Sequence, residues 1–167
     1  MALANQRSMN VPPQACAIDV VQQFRKHLTS EPIEILQILF FDPGGAAIGH
    51  QVHSFGGPDQ TWLSISGILD QAIALNATTL LLAHNHPNGV STPSIADRLA
   101  TERLARAAAA VGIHVLDHLV LTDDCHSSVF EANGPSELRR RAMCRDWCSR
   151  PSCSPPDPHL ASRSQRT

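Results

Sequence analysis

The sequence contains no apolar run near the roughly 20 residues that a membrane span requires, so no membrane segment is expected. Its opening residues, MALANQRSMN, lack a basic stretch followed by an apolar one, so no signal peptide is expected either. Together these absences favour the cytoplasm. Cysteines are few and odd in number: Cys16, Cys125, Cys144, Cys148 and Cys153, three of them crowded towards the C-terminus. A disulfide framework for the core is not expected in a reducing compartment. Internal repeats are absent. So is the excess of positive charge that a phosphate-binding surface needs. Up to Gly134 there are 6 Lys and Arg against 12 Asp and Glu, a balance of −6. A nucleic-acid partner for this acidic part is therefore not expected. From Pro135 onward the count is 7 against 3, or +4, in a Pro-, Ser- and Arg-rich stretch that reads as a solvated, disordered end.

What is present suits one domain. A length of 167 residues with 43% hydrophobic content is enough for a real core. We expect an irregular N-terminus over residues 1–15, one folded domain over 16–133 and a basic tail over 134–167. Ile18, Val21, Phe24 and Leu28 stand at helical spacing. Ile33 to Asp42 reads as a strand closed by Pro-Gly-Gly, and AAIGHQVHSF as its hairpin partner. A helix is expected over Thr61 to Leu75, a buried strand over Thr79 to His84, a helix over Pro93 to Val111, a strand over Ile113 to Leu121 and a short last strand over Ser127 to Phe130. Strands separated by helices give an α/β layer fold.

Chemistry concentrates in TLLLAHNHPNGVSTPSIAD, Thr79 to Asp97. On a strand, residues i and i+2 share a face. His84 and His86 can thus aim both imidazoles at one point, while Asn85 turns away. Imidazole is the commonest metal ligand, and a pair of them calls for a third ligand such as a carboxylate. Asp97 is the candidate. Ser94 to Asp97 could instead be a capping box. Thr92-Pro93 offers a better helix start, with Thr92 at the N-cap, which leaves Asp97 in the second turn and beyond capping reach. Two His and one Asp with an open fourth position make a catalytic rather than a structural zinc site.

The pattern His84-x-His86-x7-Ser94-x2-Asp97 resembles the JAMM (MPN+/JAB) metalloprotease signature. The wider stretch LNATTLLLAHNHPNGVSTPSIADRLATERLARAAAAVGIHVLDHLVL resembles the RadC branch, whose pattern is AHNHPSG…PS..D…T..L..A….GI..LDH. The resemblance spans roughly Glu34 to Glu131. It implies a curled mixed β-sheet flanked by helices, as in cytidine deaminases. It also implies Zn2+ held by His84, His86 and Asp97, cleavage of a peptide or isopeptide bond, and Ser94 as a donor to the oxyanion.

The same resemblance calls for a glutamate that moves a proton, an aid worth about 10²–10⁴ in rate. Counting back without gaps from Leu75-Asn76 places that position at Gln51, and a glutamine amide is no base near neutral pH. Three readings follow. The protein is a metal-binding pseudoenzyme; or His53, two residues along and on the same strand face, substitutes, with Glu34 on the neighbouring strand a poorer guess; or the count is out of register. No glutamate lies between Glu34 and Glu102 to repair the count. A third functional reading is a DNA-repair-associated accessory. It ranks last because the core is acidic and the sequence leaves no room for the helix-hairpin-helix region that usually precedes a RadC domain.

Other features get smaller roles. Asp117-His118 matches the family's DH and is expected to support the sheet or orient a ligand. His50 and His114 are given no role, and Trp62 packs its helix. Cys144-x3-Cys148-x4-Cys153 with His159 departs from the C-x2-C spacing of zinc knuckles.

Overall fold

The segments ILQILFF and TLLLA are apolar at nearly every position, not at every second one. A strand of that kind needs cover on both faces. The computed structural model, which describes residues 17–54 and 64–130, provides that cover. Strands β1 (Ile35–Phe41), β2 (Ala47–Ser54), β3 (Thr79–Asn85), β4 (His114–Leu121) and β5 (His126–Ser128) form one sheet in the order β2-β1-β3-β4-β5. The sheet is mixed: β1 runs antiparallel to β2 and β3, β3 and β4 are parallel, and β5 is antiparallel to β4. Helix α1 (Ala17–Leu28) precedes the sheet, α2 (Ile65–Ala74) joins β2 to β3, and α3 (Ile95–Ala110) makes the crossover that the parallel β3–β4 pair requires.

Strand alternation then sorts the core into two layers. Leu36, Ile38, Phe40, Leu80 and Leu82 pack with Ile68 and Ala72 of α2 and Leu104 and Ala108 of α3. Leu39, Leu81, Ala83, Leu119 and Leu121 pack on the other side with Val20, Val21, Phe24 and Leu28 of α1. Each such Leu or Phe contributes roughly 1.5–3 kcal/mol by leaving water. Gly49 lets α2 pack close on the sheet, because a Cβ there would push the Leu75 side chain aside.

The expected elements are all found, with ends shifted by a few residues. Two differences matter for the site. First, α3 does not start at Thr92-Pro93. Ser94 is its N-cap, and Asp97 at the third helical position completes a capping box. The Ser94 side chain accepts the Asp97 N–H and the Asp97 carboxylate accepts the Ser94 N–H, so two otherwise orphaned donors are satisfied at once. Second, β4 carries an irregularity: Leu80 pairs with Val115 but Leu81 with Asp117, so Leu116 is passed over and His118 comes level with Leu82.

Cys125, between β4 and β5, is disulfide-bonded, where the sequence led us to expect no disulfide framework for the core. Among the described residues no helix is long and apolar enough to cross a membrane. The expectations for residues 1–15, Trp62, the tail from 134 and its cysteines lie outside the described residues.

Candidate metal centre

The site forms at the carboxyl end of β3. His84 and His86 project from the same face, and their Nε2 atoms stand 2.9 Å apart. The partners of the other ring nitrogens decide where the protons are. His86 Nδ1 lies 2.6 Å from the Val90 carbonyl oxygen, which can only accept, so Nδ1 carries the proton and Nε2 a lone pair. Val90 is brought back towards His86 by a turn closed by the Gly89 N–H on the His86 carbonyl, and Gly89 adopts φ +77°, which favours glycine.

His84 is set by a longer chain. The Thr101 hydroxyl donates its one proton to the Asp97 carbonyl at 2.6 Å. It must therefore accept from His118 Nδ1, also at 2.6 Å. His118 is fully buried and its pKa lies well below that of a free histidine, because burial disfavours the cation and His84 and His86 stand near. Neutral His118 with its proton on Nδ1 can only accept at Nε2, so His84 donates from Nδ1 at 2.8 Å. Burial likewise lowers the His84 pKa to about 4. His84 Nε2 is left with a lone pair aimed at His86 Nε2.

Two carboxylates flank this pair. Asp97 Oδ1 is 3.5 Å from His84 Nε2 and Oδ2 is 3.7 Å from His86 Nε2. Glu34 Oε1 is 3.2 Å from His86 Nε2 and 3.9 Å from His84 Nε2. Ligand atoms of Glu34, His84 and His86 all lie within 4.8 Å of one another. The two acids are tuned in opposite directions. Burial pushes Asp97 up, but the imidazoles of His86 and His84 beside it and two hydrogen bonds from Ser94 outweigh it and hold the carboxyl well below the usual range. Burial raises Glu34, only partly opposed by His86 and reinforced by Asp97. Two imidazole lone pairs and two carboxylates facing one gap repel each other unless a cation or a proton sits between them. This donor set fits a divalent metal ion.

The structure thus brings together His84, His86, Asp97, Ser94 and His118, all singled out in the sequence. The Ser94 hydroxyl donates to Asp97 Oδ2 at 2.6 Å, so here it steadies the carboxylate. Asp117 is turned elsewhere: its Oδ1 accepts from the His118 N–H and from Ser128 Oγ, both at 2.7 Å, which ties β5 to β4. Gln51 and His53 are not brought to the cluster, which corrects their assignment as the base position and its substitute. They share its sheet face, but Gln51 is level with Ile38 and His53 with Leu36, and Leu36 stands between His53 and His84. Two strand spacings, about 10 Å, separate them from β3.

The acid that stands beside the histidine pair is Glu34. Leu36 pairs with His84, and continuing that antiparallel register by two residues sets Glu34 opposite His86. The signal was in the strand itself, where Glu34, Leu36, Ile38 and Phe40 alternate onto one face. What could not be read locally was the β1–β3 register. Thr101 and the Val90 carbonyl were also missed, since neither residue type announces such a role.

A family model for the RadC-like JAB domain matches residues 15–134. The chain belongs to that family, and its mixed five-stranded sheet with three helices is consistent with the JAB fold.

Proposed function

We propose that this protein is a zinc-dependent hydrolase of the JAMM type that cleaves an amide bond, peptide or isopeptide, in a peptide or protein substrate. The observation that carries the proposal is geometric: the Nε2 atoms of His84 and His86 stand 2.9 Å apart, with a carboxylate from Asp97 on one side and one from Glu34 on the other, each within 3.9 Å of both. Two acids at one histidine pair allow one to serve as ligand and the other as base. Asp97, held ionised, is with His84 and His86 the third ligand. Bound zinc supplies a Lewis acid and makes water a nucleophile near neutral pH. Glu34, with its raised carboxyl pKa, takes a proton from the attacking water at Oε1 and returns it to the leaving nitrogen. Ser94 holds Asp97 and keeps its hydroxyl at the edge of the site, within reach of an oxyanion once substrate displaces it.

The pseudoenzyme reading rested on Gln51, and the place of Glu34 beside the histidine pair favours the active reading over it. A DNA-associated role finds no support in the acid-rich composition. The proposed location is the cytoplasm.

Metal analysis of the purified protein should find about one zinc per chain, lost in His84→Ala/His86→Ala. Zinc-free parent protein would sink the assignment. On a peptide and isopeptide library, Glu34→Gln should keep its metal and lose about 10²–10⁴ in rate. Gln51→Glu and His53→Ala should stay near the parent. If the His53 variant is dead and the Glu34 variant active, the base has been misassigned.

A further inference from the structure

Between the two histidines stands Asn85, with a side chain 1% exposed and no path to the metal site, because alternation sends it the other way. Its amide is fully engaged. Oδ1 accepts from the Ile35 N–H at 2.7 Å, and Nδ2 donates to the Ile33 carbonyl at 2.9 Å and to the Glu31 carbonyl at 3.2 Å. The orientation of the amide is fixed, since carbonyls can only accept and the N–H can only donate. All three partners belong to one short segment, and Glu34 lies inside it.

Glu34 precedes β1, whose ladder begins at Ile35. Its peptide is therefore not carried by the sheet pairing that fixes Leu36 or Ile38. Asn85 grips the backbone on both sides of it, at Ile33 and at Ile35. We infer that Asn85 is a positioning residue: it locks the segment bearing Glu34 to the same strand end that bears His84 and His86. Three consecutive residues then set the sheet side of the site, two by presenting nitrogens and the middle one by holding the Glu34 carboxylate opposite them, while Asp97 comes from α3. A site needs its groups within about 0.5 Å of the working geometry, and a carboxylate on an unpaired segment cannot meet that without such a clamp. Losing the clamp leaves the backbone groups of Glu31, Ile33 and Ile35 without these partners, so the segment shifts, while the β1–β3 ladder from Leu36 onward keeps the sheet intact.

The inference rests on the metal-site reading for its chemical meaning, but its test separates the two. The first measurement is amide exchange on the intact protein without metal. The Ile35 amide should exchange at least about 100-fold more slowly than an unstructured peptide, with residues of β3. Exchange at the unstructured rate overturns the clamp, whatever the metal does. The second is a double-mutant cycle read by Co2+ titration. Glu34→Gln should change Co2+ affinity about ten-fold in the parent and by less than about three-fold once Asn85 is replaced. Equal factors in both backgrounds overturn the proposal. Asn85→Ala removes all three hydrogen bonds. Asn85→Asp is the milder second variant: it keeps the acceptor for Ile35 and turns an oxygen towards the two carbonyls, so the Ile35 amide should still be protected while the cycle remains non-additive. If neither variant folds, exchange at Ile35 in the parent decides. A parent that binds no Co2+ but protects Ile35 refutes the metal site and leaves the clamp standing.

Discussion

One threonine hydroxyl decides which nitrogen of a histidine two hydrogen bonds away carries a proton. Thr101 gives its proton to the Asp97 carbonyl, and the tautomers of His118 and His84 follow in turn. Thr101→Val keeps the volume and removes the constraint. His118 is then left with an unpaired buried N–H, a cost of about 1–3 kcal/mol. Metal affinity should fall about 10- to 100-fold, as for other outer partners of metal-bound histidines. Chelator competition measures the affinity, and the ring ¹⁵N shifts of His84 report the tautomer. Unchanged shifts would show that the chain does not set it. At this scale the sequence was partly legible. His84, His86 and Asp97 could be named because their spacing is local. Glu34 was misjudged because its partner lies 52 positions on, and only register could join them.

At the scale of the element, α3 does two jobs with one turn. Its first turn satisfies its own N–H groups through Ser94 and Asp97, and the same Asp97 carboxylate faces the histidines. The sequence offered capping and ligation as rivals, and in the structure the capping carboxylate also faces the histidines. Oδ2 is bound by the Ser94 N–H and hydroxyl, while Oδ1 is turned to His84. Ser94→Ala should therefore cost helix stability of about 1 kcal/mol and, separately, weaken metal binding about ten-fold by freeing Asp97. Thermal unfolding of the metal-free protein isolates the first effect and metal titration the second. A stability loss with unchanged affinity would confine Ser94 to the cap. The β4 irregularity was invisible in HVLDHLVL. An extra residue leaves the apolar pattern intact yet decides that His118, not Asp117, reaches His84.

At the scale of the molecule, acid stability of the metal-free form follows from the buried histidines. Folding lowers the pKa of His84 from 6.5 to about 4 and that of His118 further below its ordinary value. The unfolded chain binds protons there that the folded chain refuses, so stability is present above pH 6.5 and declines as pH falls from there towards 4. At about 1.4 kcal/mol per pH unit, His84 alone accounts for roughly 3 kcal/mol across that interval. His86 works the other way, its pKa raised chiefly by the Asp97 carboxylate beside it. Because it keeps some contact with water, it offsets only part of the loss. Denaturant unfolding at pH 7 and pH 5 on chelated protein should show the decline, and a flat profile would mean these rings are not buried neutral. The α/β layering was legible from composition and alternation, because burial on both faces leaves its mark on every strand. The five-stranded order was not, since it depends on which strands meet across long loops.

The 2.9 Å gap between two imidazole nitrogens has a consequence for how the protein is filled. With no metal, a proton shared across that gap relieves the repulsion between the two rings, and His86, whose pKa is raised, is the ring that favours holding it. Metal entry is then an exchange of one cation for another, not simple addition. Loading should release a fraction of a proton per chain that shrinks as pH rises, visible as an indicator-dye change in weak buffer. The lender of that proton is the molecule itself, so the supply of metal in a compartment and its acidity act on this protein as one variable.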